Sequence, residues 1–171
     1  MIRTISAVAI TCLIGSLTLA AEAGGTKVEL KDSKGNAVGT ATLSAAKSGG
    51  VSIALDLRSL PAGEHAIHVH EVAKCEAPFE SAGPHFNPAA KQHGLQNPGG
   101  PHAGDMNNFT VADNGKAKTT LTNANVTLAA GANSLYTNGG TALVIHAAAD
   151  DMKTDPGGAA GDRIACGTIT K

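Results

Sequence analysis

VSIALDL, residues 51–57, decides how the chain folds. Val51, Ile53, Leu55 and Leu57 alternate with Ser52, Ala54 and Asp56, the period-2 pattern of a strand with one buried face. Working outward, TKVELKD (26–32) and NAVGTATLS (36–44) precede it, separated by the turn residues SKGN. After it come GEHAIHVHEV (63–72), then NNFTVAD (107–113) and KAKTTLT (116–122) around an Asn114-Gly115 hairpin turn. ALVIHA (142–147) and RIACGTIT (163–170) complete eight candidate strands. No segment sustains a 3.6-residue apolar period, so no long helix is expected. The expectation is an all-β fold, an eight-stranded antiparallel Greek-key barrel or sandwich.

Composition agrees with one small β domain. The 171 residues include 21 Gly and 7 Pro but no Trp, one Tyr and three Phe, so the core must come from aliphatic side chains. Thirteen basic against fourteen acidic residues leave a net charge of −1, which favours neither a nucleic-acid grip nor an acidic tail. The first 23 residues read as a secretory signal: Arg3, an apolar run from Ile5 to Ala20, and the A-x-A site Ala21-Glu22-Ala23. That run is too short for a membrane span. The domain is therefore expected over 24–171, exported to the periplasm, with Cys12 removed. Cys75 and Cys166 then remain, either as a disulfide closing about 90 residues or as two free buried thiols.

One stretch departs from an ordinary small β domain. Residues 74–106 hold five of the seven prolines and no strand pattern, and a loop of that length needs a function or a non-hydrophobic tether. Six of the seven His lie between positions 65 and 102, and the seventh is His146. His68 and His70, two apart on a strand, project from one face. His85, His93, His102 and Asp105 follow along the loop, and His146 ends another strand. Six His and one Asp exceed a single tetrahedral zinc but serve two adjacent metals if one imidazole binds on both sides. A chance cluster of surface His would leave the loop unexplained.

These residues closely resemble the Cu,Zn superoxide dismutases in their bacterial, exported form. The resemblance is carried by AIHVHE (66–71), SAGPHFNP (81–88), KQHG (91–94), GPHAGD (100–105), LVIHA (143–147), DDMKTDP (150–156) and GDRIACG (161–167). It implies one copper per subunit on His68, His70, His85 and His146. It implies one zinc on His85, His93, His102 and Asp105, with His85 as the shared imidazolate. Asp150 would hydrogen-bond His68 and His93, Arg163 would guide superoxide, and Cys75–Cys166 would be the intrasubunit disulfide. His65 matches a structural histidine that binds no metal. The implied reaction is dismutation of superoxide to oxygen and hydrogen peroxide, with catalytic roles for Arg163 and His85 and redox cycling at copper.

Two departures stand out. Two residues after Glu71, where the family usually has Gly, this chain has Ala73 followed by Lys74, and the loop at 147–162 carries Lys153 as its only cation. Electrostatic guidance from that loop is expected to be weak or differently arranged, with Lys74 a candidate contributor. The competing readings are a periplasmic copper or zinc store or chaperone on the same fold, and a His₃ zinc hydrolase. Against the first, all four copper positions are His and Arg163 is present, which argues for turnover. The second leaves His85, His93, His102 and Asp105 idle. Monomer and homodimer are both compatible with the sequence.

Overall fold

The computed structural model describes residues 25–171; the leader expected at 1–23, with Cys12, lies outside them. The strands are β1 (Thr26–Asp32), β2 (Ala37–Ala45), β3 (Val51–Leu57), β4 (Gly63–His65), β5 (Ile67–His70), β6 (Phe109–Val111), β7 (Ala117–Asn123), β8 (Thr141–His146) and β9 (Arg163–Ile169). Seven form one antiparallel sheet in the order β5-β8-β9-β1-β2-β3-β7, and β4 pairs with β6. Because β4 runs into β5 and β6 turns into β7, the small pair joins the two ends of the large sheet. The sheet is thereby curled into a barrel.

Among the described residues nine strands stand where eight were expected, and the difference is one residue wide. The segment read as one strand, 63–72, changes partner at Ala66: His65 lies opposite Phe109 of β6, whereas Ile67 lies opposite Ile145 of β8. A strand that serves two neighbours at a barrel corner must bend between them. No period-2 pattern reports such a bend.

β3 lies between β2 and β7, with Ile53 opposite Leu43 of β2 and Leu121 of β7. Val51, Ile53, Leu55 and Leu57 are all buried, as the alternation requires. Each such aliphatic side chain contributes about 1.5–3 kcal/mol by leaving water. β8 differs, being buried at every position. Its Leu143 and Ile145 face the barrel core, while Ala142 and Val144 pack outside with Phe79, Ala82, Cys75 and Cys166. The long loop therefore lies against the outer face of β8. The same arrangement on β5 turns Ile67 and Val69 into the core and leaves His68 and His70 to face the loops.

Candidate metal centre

Two antiparallel strands supply the first half of the site. Their register sets Ile67 against Ile145 and His68 against Val144, and a bulge after Ile145 brings His146 beside the outward-facing pair. His85 joins from the loop through an isolated bridge with His70. His68, His70, His85 and His146 are all buried, and each offers a nitrogen within 4.8 Å of the others. A second group, His85, His93, His102 and Asp105, meets the same limit and shares His85 with the first.

The donor atoms fit metals. Around Asp105, Oδ1 lies 3.0 Å from Nδ1 of His85, 3.0 Å from Nδ1 of His93 and 3.4 Å from Nδ1 of His102. The Nδ1 atoms of His85 and His102 are 3.4 Å apart. Tetrahedral bonds of about 2.0–2.1 Å put ligand atoms roughly 3.3 Å apart, so these four already have the spacing of a zinc cage. In the other group Nε2 of His70 and Nε2 of His146 are 3.4 Å apart. Nδ1 of His68 is buried with no hydrogen-bond partner, unlike any other such side-chain atom among the described residues. An orphaned imidazole nitrogen facing three other imidazoles is what a four-His copper site leaves behind.

The nitrogens that point away from these clusters are held. Nε2 of His68 donates to Oδ2 of Asp150 at 2.9 Å, and Nε2 of His93 donates to Oδ1 at 3.0 Å. Nδ1 of His70 donates to the Gly83 carbonyl at 2.8 Å, and Nδ1 of His146 to the Gly161 carbonyl at 3.2 Å. Such bonds select the tautomer and hold the ring plane. His65 lies outside both groups: Nδ1 faces the His146 carbonyl at 2.8 Å and Nε2 the Pro61 carbonyl at 3.0 Å.

Burial and charge set opposite protonation states at His68 and His93, the two rings that share Asp150. Burial drives His68 down to about 4, against the opposing pull of Asp150. Burial, reinforced by the neighbouring His68, drives His146 down to about 3. Burial also acts to lower His93, but hydrogen bonds to Asp105 and Asp150 outweigh it and raise the ring to about 9. Asp105 and Asp150 are pushed up by burial yet end well below the ordinary carboxylate range, because their imidazole partners stabilise the anions.

Above the four-His group a cavity of about 470 Å³ opens to solvent, lined by His70, His85, His146, Asp155 and Arg163. Arg163 donates from Nη1 to the Phe79 carbonyl at 2.7 Å, and Nη2 lies 3.8 Å from Oε2 of Glu80. Phe79 takes a left-handed backbone, φ 78°, while its ring is buried beside Cys166. Cys75 and Cys166 form the disulfide, with Cα atoms 5.7 Å apart. Lys74 pairs with Glu76 at 3.0 Å and Lys153 is exposed.

The description "Copper/zinc superoxide dismutase" belongs to a family model that matches residues 37–169. The chain belongs to the copper/zinc superoxide dismutase family. As such it is an oxidoreductase whose metals are copper and zinc and whose substrate is superoxide. It is 50% identical over 147 residues to Superoxide dismutase [Cu-Zn] 1 of Aquifex aeolicus, covering 84% of this chain and 86% of that one. It is 51% identical over 144 residues to Superoxide dismutase [Cu-Zn] 2 of the same organism, covering 82% and 84%. A crystal structure of a superoxide dismutase-like protein from Bacillus subtilis superposes with a TM-score of 0.82 at 36% identity, covering 85% of this chain and 98% of that one.

Three contributors to the centre carry no sequence signal of metal chemistry. The Phe79 carbonyl anchors Arg163, but any residue type has a carbonyl. Gly158, at φ +66°, leaves the space in which Asp150 meets His93; a Cβ there would fall 1.8 Å from Oδ1 of Asp150. Asp155, read as part of a family motif without a role of its own, accepts from the backbone N–H of His93 at 2.5 Å.

Proposed function

We propose that this chain dismutes superoxide with copper held by His68, His70, His85 and His146 and zinc held by His85, His93, His102 and Asp105. The observation that carries the reading is the double membership of His85, one ring common to two buried donor sets. Its Nδ1 lies on the Asp105 side, which leaves Nε2 for the four-His group. When bound, copper supplies the one-electron change that allows one superoxide to be oxidised and another reduced, while zinc is redox-inert.

The protein supplies everything else. Two superoxide ions and two protons give one oxygen and one hydrogen peroxide, so the site needs a cation to attract anions and an atom to hold a proton. Arg163 answers the first need: Nη1 is committed to Phe79 and Nη2 faces Glu80 at 3.8 Å, so the guanidinium is held in place as a cation lining the cavity. His85 answers the second, since its Nε2 can carry a proton while Nδ1 stays directed at the Asp105 side. Asp150 holds His68 and His93 in one orientation throughout, so little must reorganise in a turnover.

Residues 1–23 are read as a leader removed on export to the periplasm. The Cys75–Cys166 disulfide supports that reading, because such bonds persist in oxidising compartments.

The test is superoxide disappearance with the protein loaded with one copper and one zinc per chain, alongside His146→Ala. Fast disproportionation that falls at least about a hundredfold in the variant, with zinc retained, is expected. Slow turnover by a wild-type protein carrying both metals would refute the reading.

A further inference from the structure

His93 is gripped by three carboxylates from two loops. Asp105 meets its Nδ1 at 3.0 Å and Asp150 its Nε2 at 3.0 Å, while Asp155 takes its backbone N–H at 2.5 Å. The same oxygen of Asp155, Oδ1, lies 3.7 Å from Nε2 of His102, which is the nitrogen directed away from Asp105. That separation is too long for a hydrogen bond, but it sets the carboxylate beside the outward N–H edge of the ring. Around these contacts the two loops are laced together. Gln96 N–H donates to the Met152 carbonyl at 3.0 Å, and Asn97 Nδ2 to the Lys153 carbonyl at 3.3 Å. Gly94, at φ +109°, lies so close to Met152 that a Cβ would come within 2.2 Å of its carbonyl oxygen.

Asp155 also lines the cavity that holds Arg163, His70 and His146. Its side chain is half exposed, so burial of the carboxylate does not explain its position. What it does have is a backbone partner 62 residues away, at a residue whose ring is one of the four donors of the zinc set.

We propose that Asp155 is a positioning residue for the zinc site, fixing the chain at His93 and facing His102, and so tying the cavity-lining loop to the zinc-binding loop. The proposal rests on the reading of His85, His93, His102 and Asp105 as zinc ligands. Asp150 orients rings; Asp155 orients backbone. Removing the Asp155 oxygen frees the His93 N–H and lets the 92–97 segment lift from 152–155. Zinc then escapes faster, although every ligand is still present.

The experiment uses the full protein loaded with copper and zinc, compared with Asp155→Ala and Asp155→Asn. Zinc release into a chromogenic chelator is followed together with hydrogen exchange at the His93 amide. Wild-type zinc content is measured first, and a wild-type protein that binds no zinc overturns the site reading rather than this residue's role alone. With zinc bound, Asp155→Ala should release it about 10–100-fold faster. His93 amide exchange should accelerate at least about tenfold, with β2 and β3 amides unchanged. Asp155→Asn keeps an oxygen for the His93 N–H and should restore amide protection and most of the zinc retention. Equal protection and equal zinc release in all three proteins would overturn the proposal. So would an Asn variant as impaired as the Ala variant.

Discussion

His68 donates from Nε2 to Oδ2 of Asp150 at 2.9 Å, and its opposite nitrogen, Nδ1, is left buried without a partner. The two facts are linked. A carboxylate on one side of an imidazole places the proton there and turns the other nitrogen into a lone-pair donor. Asp150 does this for His68 and holds His93 in the same way, so one carboxylate orients an imidazole in each cluster.

Asp150→Ala should therefore weaken zinc retention about 10–100-fold while leaving the fold intact. Chelator competition with the loaded protein measures it. Unchanged zinc affinity would remove Asp150 from any positioning role.

Gly158→Ala should produce a similar loss without altering any polar side chain. The added Cβ would lie 1.8 Å from Oδ1 of Asp150 and 2.7 Å from Nε2 of His93, so the carboxylate must move. The left-handed backbone at φ +66° makes the substitution strained as well. A variant that binds zinc as tightly as the wild type would show that Asp150 can reach His93 by another path.

The protonation states predict a pH signature for the metal-free protein. His93 is raised to about 9, so its contribution to stability is complete below its unfolded value of 6.5 and is lost as pH climbs through 9. His68 and His146 are lowered to about 4 and 3, so the unfolded chain takes up their protons first as pH falls below 6.5, and stability declines in that direction too. Thermal melts of the metal-free protein should therefore peak at about pH 7, where the proton held by His93 balances those the unfolded chain binds at the other rings. Zinc must displace the extra His93 proton, so between about pH 7 and 9 its affinity should rise roughly tenfold per pH unit and then level off. Calorimetry in buffers of different ionisation enthalpy counts the released proton; none released at pH 7 contradicts the assignment.

Reduction of Cys75–Cys166 should cost both stability and anion binding. The bond spans 91 residues, worth roughly 4–5 kcal/mol in the chain-entropy model. For a domain of this size that is a fall of about 10–15 °C in Tm. Phe79 packs on Cys166 and its carbonyl holds Arg163, so azide affinity of the copper-loaded protein should fall several-fold as well. A melting shift with unchanged azide binding would separate the disulfide from Arg163.

Much of this centre was legible before folding. Alternation in 51–57 announced a half-buried strand because a pleated backbone turns successive side chains to opposite faces, and burial follows it residue by residue. His68 and His70 declared a shared face by the same rule, and the unusual loop at 74–106 announced that something other than a core must hold it. Residue type and spacing are local properties, and these readings needed nothing more.

Tertiary structure decided what depends on approach between distant segments. The switch of partner at Ala66 arises from barrel closure, the grip of Phe79 on Arg163 from a backbone carbonyl, and the room at Gly158 from two loops meeting. Asp155 reaches His93 across 62 residues. Carbonyls, empty volume and long-range hydrogen bonds leave no mark on residue identity. Residue order sets which donors exist and on which strand face they stand; the approach of distant loops sets which of their nitrogens are held by hydrogen bonds, as at His68 and His93.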